Sequence, residues 1–392
     1  MQKPAGSSKG HAGKLSCPVH PILENELSLF AVMININYPL LKPVRMLLLP
    51  FSLIYGLIIY IRNWLFDQNI LRSSSFNLPL ICIGNLAAGG TGKSPMVEFL
   101  IGKLKTEFRI AVLSRGYKRK TRGYTLATER STALEIGDEP MQFYNKFPDV
   151  TVAVGEERVV AIPQLLHDKP DTRVIILDDA FQHRSVRAGY NILLTDYSNL
   201  YTRDWFLPTG DLRDQQKSAR RADIIVVTKC PPDISLAEKN QLIREIHPAA
   251  HQRLFFSAIQ YGKPYQVITR QPWKPEKGTE VLLVTGIANP GSLKKHLEEL
   301  FNGYEELAFS DHHIFTIDDL KWIIKKFNQL TSPGKILLTT EKDAVRLQKF
   351  SQQLRELPFY VMPIQPVFLF KEENQFTRLI TTFIQEFPDQ AL

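Results

Sequence analysis

Lys93 and Ser94 follow a glycine-rich turn, Ala87-Ala88-Gly89-Gly90-Thr91-Gly92, which is itself preceded by the apolar run Leu80–Ile83. A lysine and a hydroxyl closing such a turn are the groups that hold a polyphosphate. Backbone N–H groups of Ala88, Gly89, Gly90, Thr91 and Gly92 can point at phosphate oxygens. The Lys93 ammonium adds a point charge, and the Ser94 hydroxyl can ligate magnesium. The strict pattern GxxxxGK[ST] asks for glycine at position 87, where this chain has Ala87. Further on, the apolar run Arg173–Leu177 ends in Asp178-Asp179. An aspartate at the C-terminal edge of a buried strand is where a phosphate-loop sheet puts its second magnesium ligand.

Three further clusters could carry chemistry. Gly137-Asp138-Glu139-Pro140 reads as a turn into a helix. Its acids are either ordinary helix-start charges or a carboxylate aimed at a hydroxyl nucleophile. Ser310-Asp311-His312-His313 has adjacent histidines that point in different directions, which argues against a shared metal. It is either a surface loop or the support of an acid–base group across a cleft. Val226–Pro231 sits where guanine-specific proteins carry Asn-Lys-x-Asp, but Thr228 and Pro231 replace the Asn and Asp, so ATP is expected over GTP. Two basic runs complete the set. Arg115–Arg122 could neutralise a phosphate, face anionic lipid or be solvated, and Arg213–Arg221 reads as an exposed helix face.

The elements that must position these groups alternate. Short runs of Val, Ile and Leu at Arg109–Ser114, Thr151–Val154, Arg173–Leu177, Tyr190–Thr195 and Asp223–Thr228 are separated by helical stretches such as Ser94–Leu104 and Arg158–Leu166. Continuous apolar strands are buried on both faces, so the pattern predicts an α/β fold: a P-loop NTPase-type, mostly parallel sheet with helices on both faces. A second, smaller α/β series runs through Val281–Val284, Gly291–Leu300, Asp318–Asn328, Lys335–Leu338 and Pro358–Met362. Before the first series, Met46–Ile61 is uncharged, interrupted by Pro50 and Gly56, and flanked by Lys42, Arg45, Arg62 and Trp64. It is short of the roughly 20 apolar residues of a spanning helix and suits one lying in a membrane interface; a buried core helix and a single span are the alternatives. Expected units are a disordered or mis-assigned extension at 1–32 (Met33 offers a second start), an N-terminal membrane-associated segment at 33–72 and a P-loop domain at 73–259. A linker or crossover at 260–277 and a C-terminal α/β domain at 278–392 follow.

Composition narrows the partners. A formal net charge of +8 favours an anionic partner, and 44% hydrophobic residues describe a globular chain, not a disordered one. Cys17, Cys82 and Cys230 lie far apart with no CxxC pair, against a disulfide scaffold or a zinc site and in keeping with a reducing compartment.

The ordered set IGNLAAGGTGKSP, SRGY, GDEP, VGEERV, LDDAFQH, LPTGDLRD, VVTK, FSDHH and TTEKDAVR resembles the tetraacyldisaccharide 4'-kinase family, the lipid A kinases of the Gram-negative inner membrane. The resemblance runs collinearly from about Met33 to about Arg346 and makes Ala87 a family trait. It implies transfer of the ATP γ-phosphate to the 4'-hydroxyl of a tetraacylated glucosamine disaccharide 1-phosphate. It also implies magnesium, an anionic glycolipid and the cytoplasmic membrane face as partners, and no nucleic acid. By the same resemblance, Lys93 binds the β/γ-phosphates, Ser94, Asp178 and Asp179 hold the metal, and Asp138 helps deprotonate the sugar hydroxyl with His312 as its partner. Arg158 and the Arg213-Asp214 pair are implied active-site polar groups. The chain departs from the family pattern at Ala180, where glycine is usual. It departs again at Thr209, Asp211 and Asp214, where the family tends to Ala, Pro and Glu.

Overall fold

The computed structural model describes residues 45–388 except 275, 277 and 302. The expected extension at 1–32, Cys17 and the first part of the 33–72 segment lie outside the described residues. Helix α1 (Leu49–Asp67) leads into β1 (Leu80–Asn85), and the glycine turn feeds α2 (Lys93–Leu104). There follow β2 (Ile110–Ser114), β3 (Thr125–Leu126), α3 (Asp138–Lys146), β4 (Thr151–Val154), α4 (Arg158–Asp168), β5 (Val174–Asp178), β6 (Tyr190–Asp196), β7 (Ile224–Thr228), α5 (Leu236–Ile246) and β8 (Arg253–Tyr261). The second series is β9 (Tyr265–Gln266), β10 (Val281–Thr285), α6 (Gly291–Leu300), β11 (Tyr304–Ala308), α7 (Ile317–Gln329), β12 (Ile336–Thr340), α8 (Glu341–Leu347) and β13 (Phe359–Met362). The described chain closes on β14 (Ile364–Phe368) and α9 (Glu373–Gln385).

The apolar runs become the centre of a nine-stranded sheet, ordered β14-β8-β7-β6-β1-β5-β2-β4-β3. Every ladder from β8 to β4 is parallel, as strands buried on both faces require. The connection out of β1 runs to β2 on one side and the one out of β5 crosses to β6 on the other, and a crevice opens at such a switch point beyond the strands' C-terminal ends. The glycine turn and Asp178 lie at that edge, because Ile83 of β1 is in register with Asp178 of β5. A five-stranded sheet, β11-β10-β12-β13-β9, forms the second unit.

The chain's end departs from the expected boundary. β14 pairs antiparallel with β8 in the first sheet, and α9 lays Phe376 and Ile380 into the core beside α2. The stretch 364–388 therefore builds the first unit, not the second. Pro366 hides β14 in the sequence, since proline is tolerated in a strand only at an edge, and β14 is one. The expected linker at 260–277 likewise holds ordered structure, the end of β8 and the edge strand β9.

Helix α1 is amphipathic with its sense reversed. Ser52, Gly56, Ile59 and Asn63, spaced four, three and four apart, form its buried stripe. Phe51, Leu53, Ile54, Leu57 and Trp64 are exposed, Leu53 by 64%. Ser52 Oγ lies 2.7 Å from Thr209 Oγ1, and Asn63 Nδ2 donates to Asp214 Oδ1 at 2.7 Å. Gly56 has no side chain because the Phe206 ring lies where a Cβ would be, 2.9 Å away. This excludes the buried core helix among the alternatives.

Candidate active site

The phosphate loop is held from below. Gly92 takes φ +83° as the N-cap of α2, which turns the chain from loop to helix at a residue free to adopt it. Thr228 at the end of β7 donates its hydroxyl to the Thr91 carbonyl at 2.9 Å, so the Thr of VVTK supports the loop. The Lys93 ammonium lies 3.1 Å from Asn85 Oδ1 and 3.7 Å from Asp179. Burial lowers its pKa, an effect the Asp179 charge opposes. Arg213 reaches the same two groups, Asn85 Oδ1 at 2.5 Å and Asp179 at 3.0 Å. Asn85 Nδ2 and Thr91 Oγ1 are buried with no hydrogen-bond partner among the described residues, two polar groups left for a ligand on this loop.

The two aspartates differ. Burial and then the adjacent Asp179 charge push Asp178 up to about 6, while Ser114 donates to its Oδ2 at 2.9 Å. Burial would raise Asp179 as well, but Arg213 and Lys93 outweigh it and hold that carboxyl well below the usual range.

The second unit brings His312, Lys342 and Arg346 to an aspartate of the first. Asp138 opens α3, and its Oδ2 lies 3.3 Å from His312 Nδ1 and accepts from Arg346 Nε at 2.7 Å. Burial alone would raise the Asp138 carboxyl; the His312 hydrogen bond and the Arg346 charge overcome it and leave the pKa lowered. Lys342 bridges His312 Nε2 at 3.1 Å and Glu139 at 3.1 Å, and Tyr117 of SRGY meets the imidazole edge-on at 5.5 Å. The neighbouring His313 faces elsewhere, 2.9 Å from Asp319 at the start of α7. The Glu139 charge beside this carboxylate–imidazole pair acts on both Lys93 and Asp178, so the pair and the phosphate loop share one charged site, the layout of an ATP-dependent transfer to a hydroxyl.

Comparison with known proteins decides the family. The description "Tetraacyldisaccharide-1-P 4'-kinase" matches residues 44–385. The chain belongs to this family. Among curated relatives, the tetraacyldisaccharide 4'-kinase of Flavobacterium johnsoniae is 46% identical over 349 residues, covering 88% of this chain and 98% of that one. The tetraacyldisaccharide 4'-kinase of Bacteroides thetaiotaomicron is 44% identical over 353 residues, covering 86% and 93%. Among solved structures, LpxK from Aquifex aeolicus in complex with ATP aligns with a TM-score of 0.69 at 29% identity, covering 87% of this chain and 99% of that one.

Two expected site residues of the kinase are almost fully buried. Arg158 is 1% exposed and donates to the carbonyls of Gly155 and, at 3.3 Å, Asp178. It ties the β4 loop to the end of β5 and lines a small cavity with Cys82, His183 and Arg221. Asp214 is 2% exposed and accepts from Asn63, Ser218 and the Gln215 N–H at Oδ1 and from Arg221 at Oδ2. Within the run Arg213–Arg221, Gln216–Arg221 forms a 3-10 helix that exposes Gln216, Lys217 and Arg220 and buries Ser218 and Ala219, while Arg213 and Asp214 turn inward. Sequence reasoning assigned no role to Asn85, Tyr117, Lys342 or Arg346. All four fall inside quoted motifs, but each acts through a contact distant in the chain, which spacing does not reveal.

Proposed function

We propose that this kinase transfers the γ-phosphate of ATP to the 4'-hydroxyl of a tetraacylated glucosamine disaccharide 1-phosphate at the cytoplasmic face of the inner membrane. The observation that carries it is the Asp138–His312 contact in one charged site with the Lys93 loop. In the transfer, the sugar oxygen forms a bond to the γ-phosphorus as the bond to the β,γ-bridging oxygen breaks and ADP leaves. Asp138, ionised at neutral pH, accepts the hydroxyl proton, and His312 orients it. Lys93 and the loop N–H groups neutralise charge on the phosphates, and Asn85 Nδ2 is free to donate there.

The residues fit magnesium. Ser94, Asp178 and Asp179 supply hard oxygen donors at one edge, and the raised Asp178 carboxyl is one a cation would hold ionised. Among the described residues no group of three or more His, Cys, Asp or Glu forms a cage. That suits a small ion that keeps water and phosphate ligands. Bound there, it would neutralise charge on the β/γ-phosphates.

Helix α1 supports the membrane reading. Bonds from Ser52, Asn63 and Asp67 tie it along its length to one side of the P-loop unit, so a span would pull these polar contacts into hydrocarbon. The helix lies along the surface with its apolar face outward, as an interfacial element does. The test is an assay of purified protein with ATP, magnesium and the tetraacyl disaccharide 1-phosphate. One phosphate should be added at the 4'-position. Unchanged lipid from protein that binds nucleotide would end the proposal.

A further inference from the structure

The segment between Pro208 and Asp214 is bonded on both sides. On one side it pairs with the phosphate loop. The Ala88 N–H donates to the Asp211 carbonyl at 2.6 Å and the Arg213 N–H to the Leu86 carbonyl at 2.7 Å, around an antiparallel bridge between Ala87 and Leu212. On the other side it is pinned to α1 and to Arg45, four positions before it. Ser52 and Thr209 exchange two contacts, at 2.7 and 2.9 Å; Asn63 donates to Asp214; Tyr55 donates to the Arg213 carbonyl at 3.1 Å. Arg45 meets Asp211 at 2.8 Å and also donates to the Gly210 carbonyl. Between these anchors, Arg213 reaches into the nucleotide site to Asp179 and Asn85.

Nothing about anchoring requires this. A helix that merely held the enzyme on lipid would attach by apolar packing, and its register along the protein would be indifferent. Here every polar residue of the buried stripe bonds to one strap, and that strap is hydrogen-bonded to the loop that takes the phosphates.

Resting on the interfacial reading of α1, we infer that Ser52 and Asn63 are positioning residues for the phosphate site, through which docking of α1 on a lipid surface sets the strap, Arg213 and the glycine loop. The linkage is reciprocal: if a surface tightens nucleotide binding, nucleotide tightens surface binding by the same factor. No disaccharide is needed for either.

The experiment uses the full chain, a fluorescent ATP analogue and vesicles of phosphatidylglycerol and phosphatidylethanolamine. Nucleotide affinity is measured with the protein in neutral detergent and on vesicles, and vesicle binding by flotation with and without nucleotide. The wild type should bind the analogue about 5-fold or more tightly on vesicles, with an equal gain in flotation. Asn63→Leu, which leaves the exposed apolar face untouched, should float as the wild type does without nucleotide and show a coupling factor near one. Thr209→Val, which breaks the strap from its other side, should do the same, so a folding defect in one variant leaves the other to decide. Equal nucleotide affinity of the wild type on and off vesicles overturns the inference. So does full coupling in the variants, or loss of flotation in Asn63→Leu, which would make α1 an anchor alone. Failure to phosphorylate the disaccharide would instead count against the proposed acceptor and leave these measurements standing.

Discussion

Arg346 sets the working pH of Asp138. The carboxylate is 19% exposed, enough burial to favour its neutral form, and the guanidinium at 2.7 Å with the imidazole beyond it reverses that preference. Because the folded pKa is depressed, the ionised pair contributes stability above the ordinary carboxyl range and loses it as pH falls through the depressed value. Arg346→Met should weaken the opposition to burial and move the acidic limb of kcat/KM to higher pH, whereas Arg346→Lys, which keeps the charge, should move it less. A pH–rate profile of the three proteins measures this, and an unmoved limb would refute it. Asp138→Asn removes the proton acceptor itself and should lower kcat by roughly 10²–10⁴, with nucleotide affinity unchanged in a binding titration. Asp138 and His312 were singled out in the sequence but took their roles only from the family resemblance; the structure puts them 3.3 Å apart. Arg346 was not singled out, because its partner lies 208 positions away and an arginine ending TTEKDAVR reads as any helix arginine.

At the scale of elements, α3 and α8 lie against each other with ion pairs at both ends: Asp138 with Arg346 at one, Lys146 with Glu341 at the other. Lys146 also bonds Glu98 of α2 at 2.7 Å, and Ile136, Met141 and Val345 pack in the apolar cluster they share. One ammonium thus serves two carboxylates only 4% and 5% exposed, joining the P-loop helix, the Asp138 helix and the second unit. Lys146→Met strands both carboxylates and should cost about 3–5 kcal/mol, seen as a large fall in Tm. Glu98→Gln should behave differently. Burial and then the Glu341 charge raise Glu98 to about 7, so the unfolded chain releases this proton at lower pH than the folded one. The wild type therefore loses stability as pH rises from the ordinary carboxyl range towards 7. Glu98→Gln lacks that slope and should gain in Tm relative to the wild type between pH 5 and 8; a constant difference would refute the assignment. Helix and strand positions here were largely readable, since Thr151–Val154 and Gly291–Leu300 match β4 and α6 end to end. What spacing could not supply was partner choice. Thr209, Asp211 and Asp214, departures from the family pattern, acquire a reason only beside Ser52, Arg45 and Asn63.

For the molecule as a whole, the proposed membrane docking would rest on two separable forces. The net charge of +8 attracts anionic lipid over a distance that salt shortens, to about 10 Å at 0.1 M ionic strength. The exposed face of α1 acts by apolar transfer, which salt does not weaken, and each Ile or Leu that sinks fully contributes about 1.5–3 kcal/mol. The sequence revealed both ingredients but not their arrangement, because a sixteen-residue apolar run that suits a surface helix leaves a core helix and a span as alternatives. The polar stripe Ser52–Asn63 facing the protein selects among them. Raising salt should therefore weaken binding to phosphatidylglycerol vesicles to a plateau and not abolish it, and the plateau should be the share held by α1. Ile54→Glu combined with Leu57→Glu, both 58% exposed and remote from the buried stripe, should remove that plateau, lowering partitioning at high salt by roughly 100-fold or more. At low salt the same protein should still associate through its charge. Flotation across a salt series checks both variables at once, and a double variant that keeps its high-salt plateau would show that another surface meets the lipid.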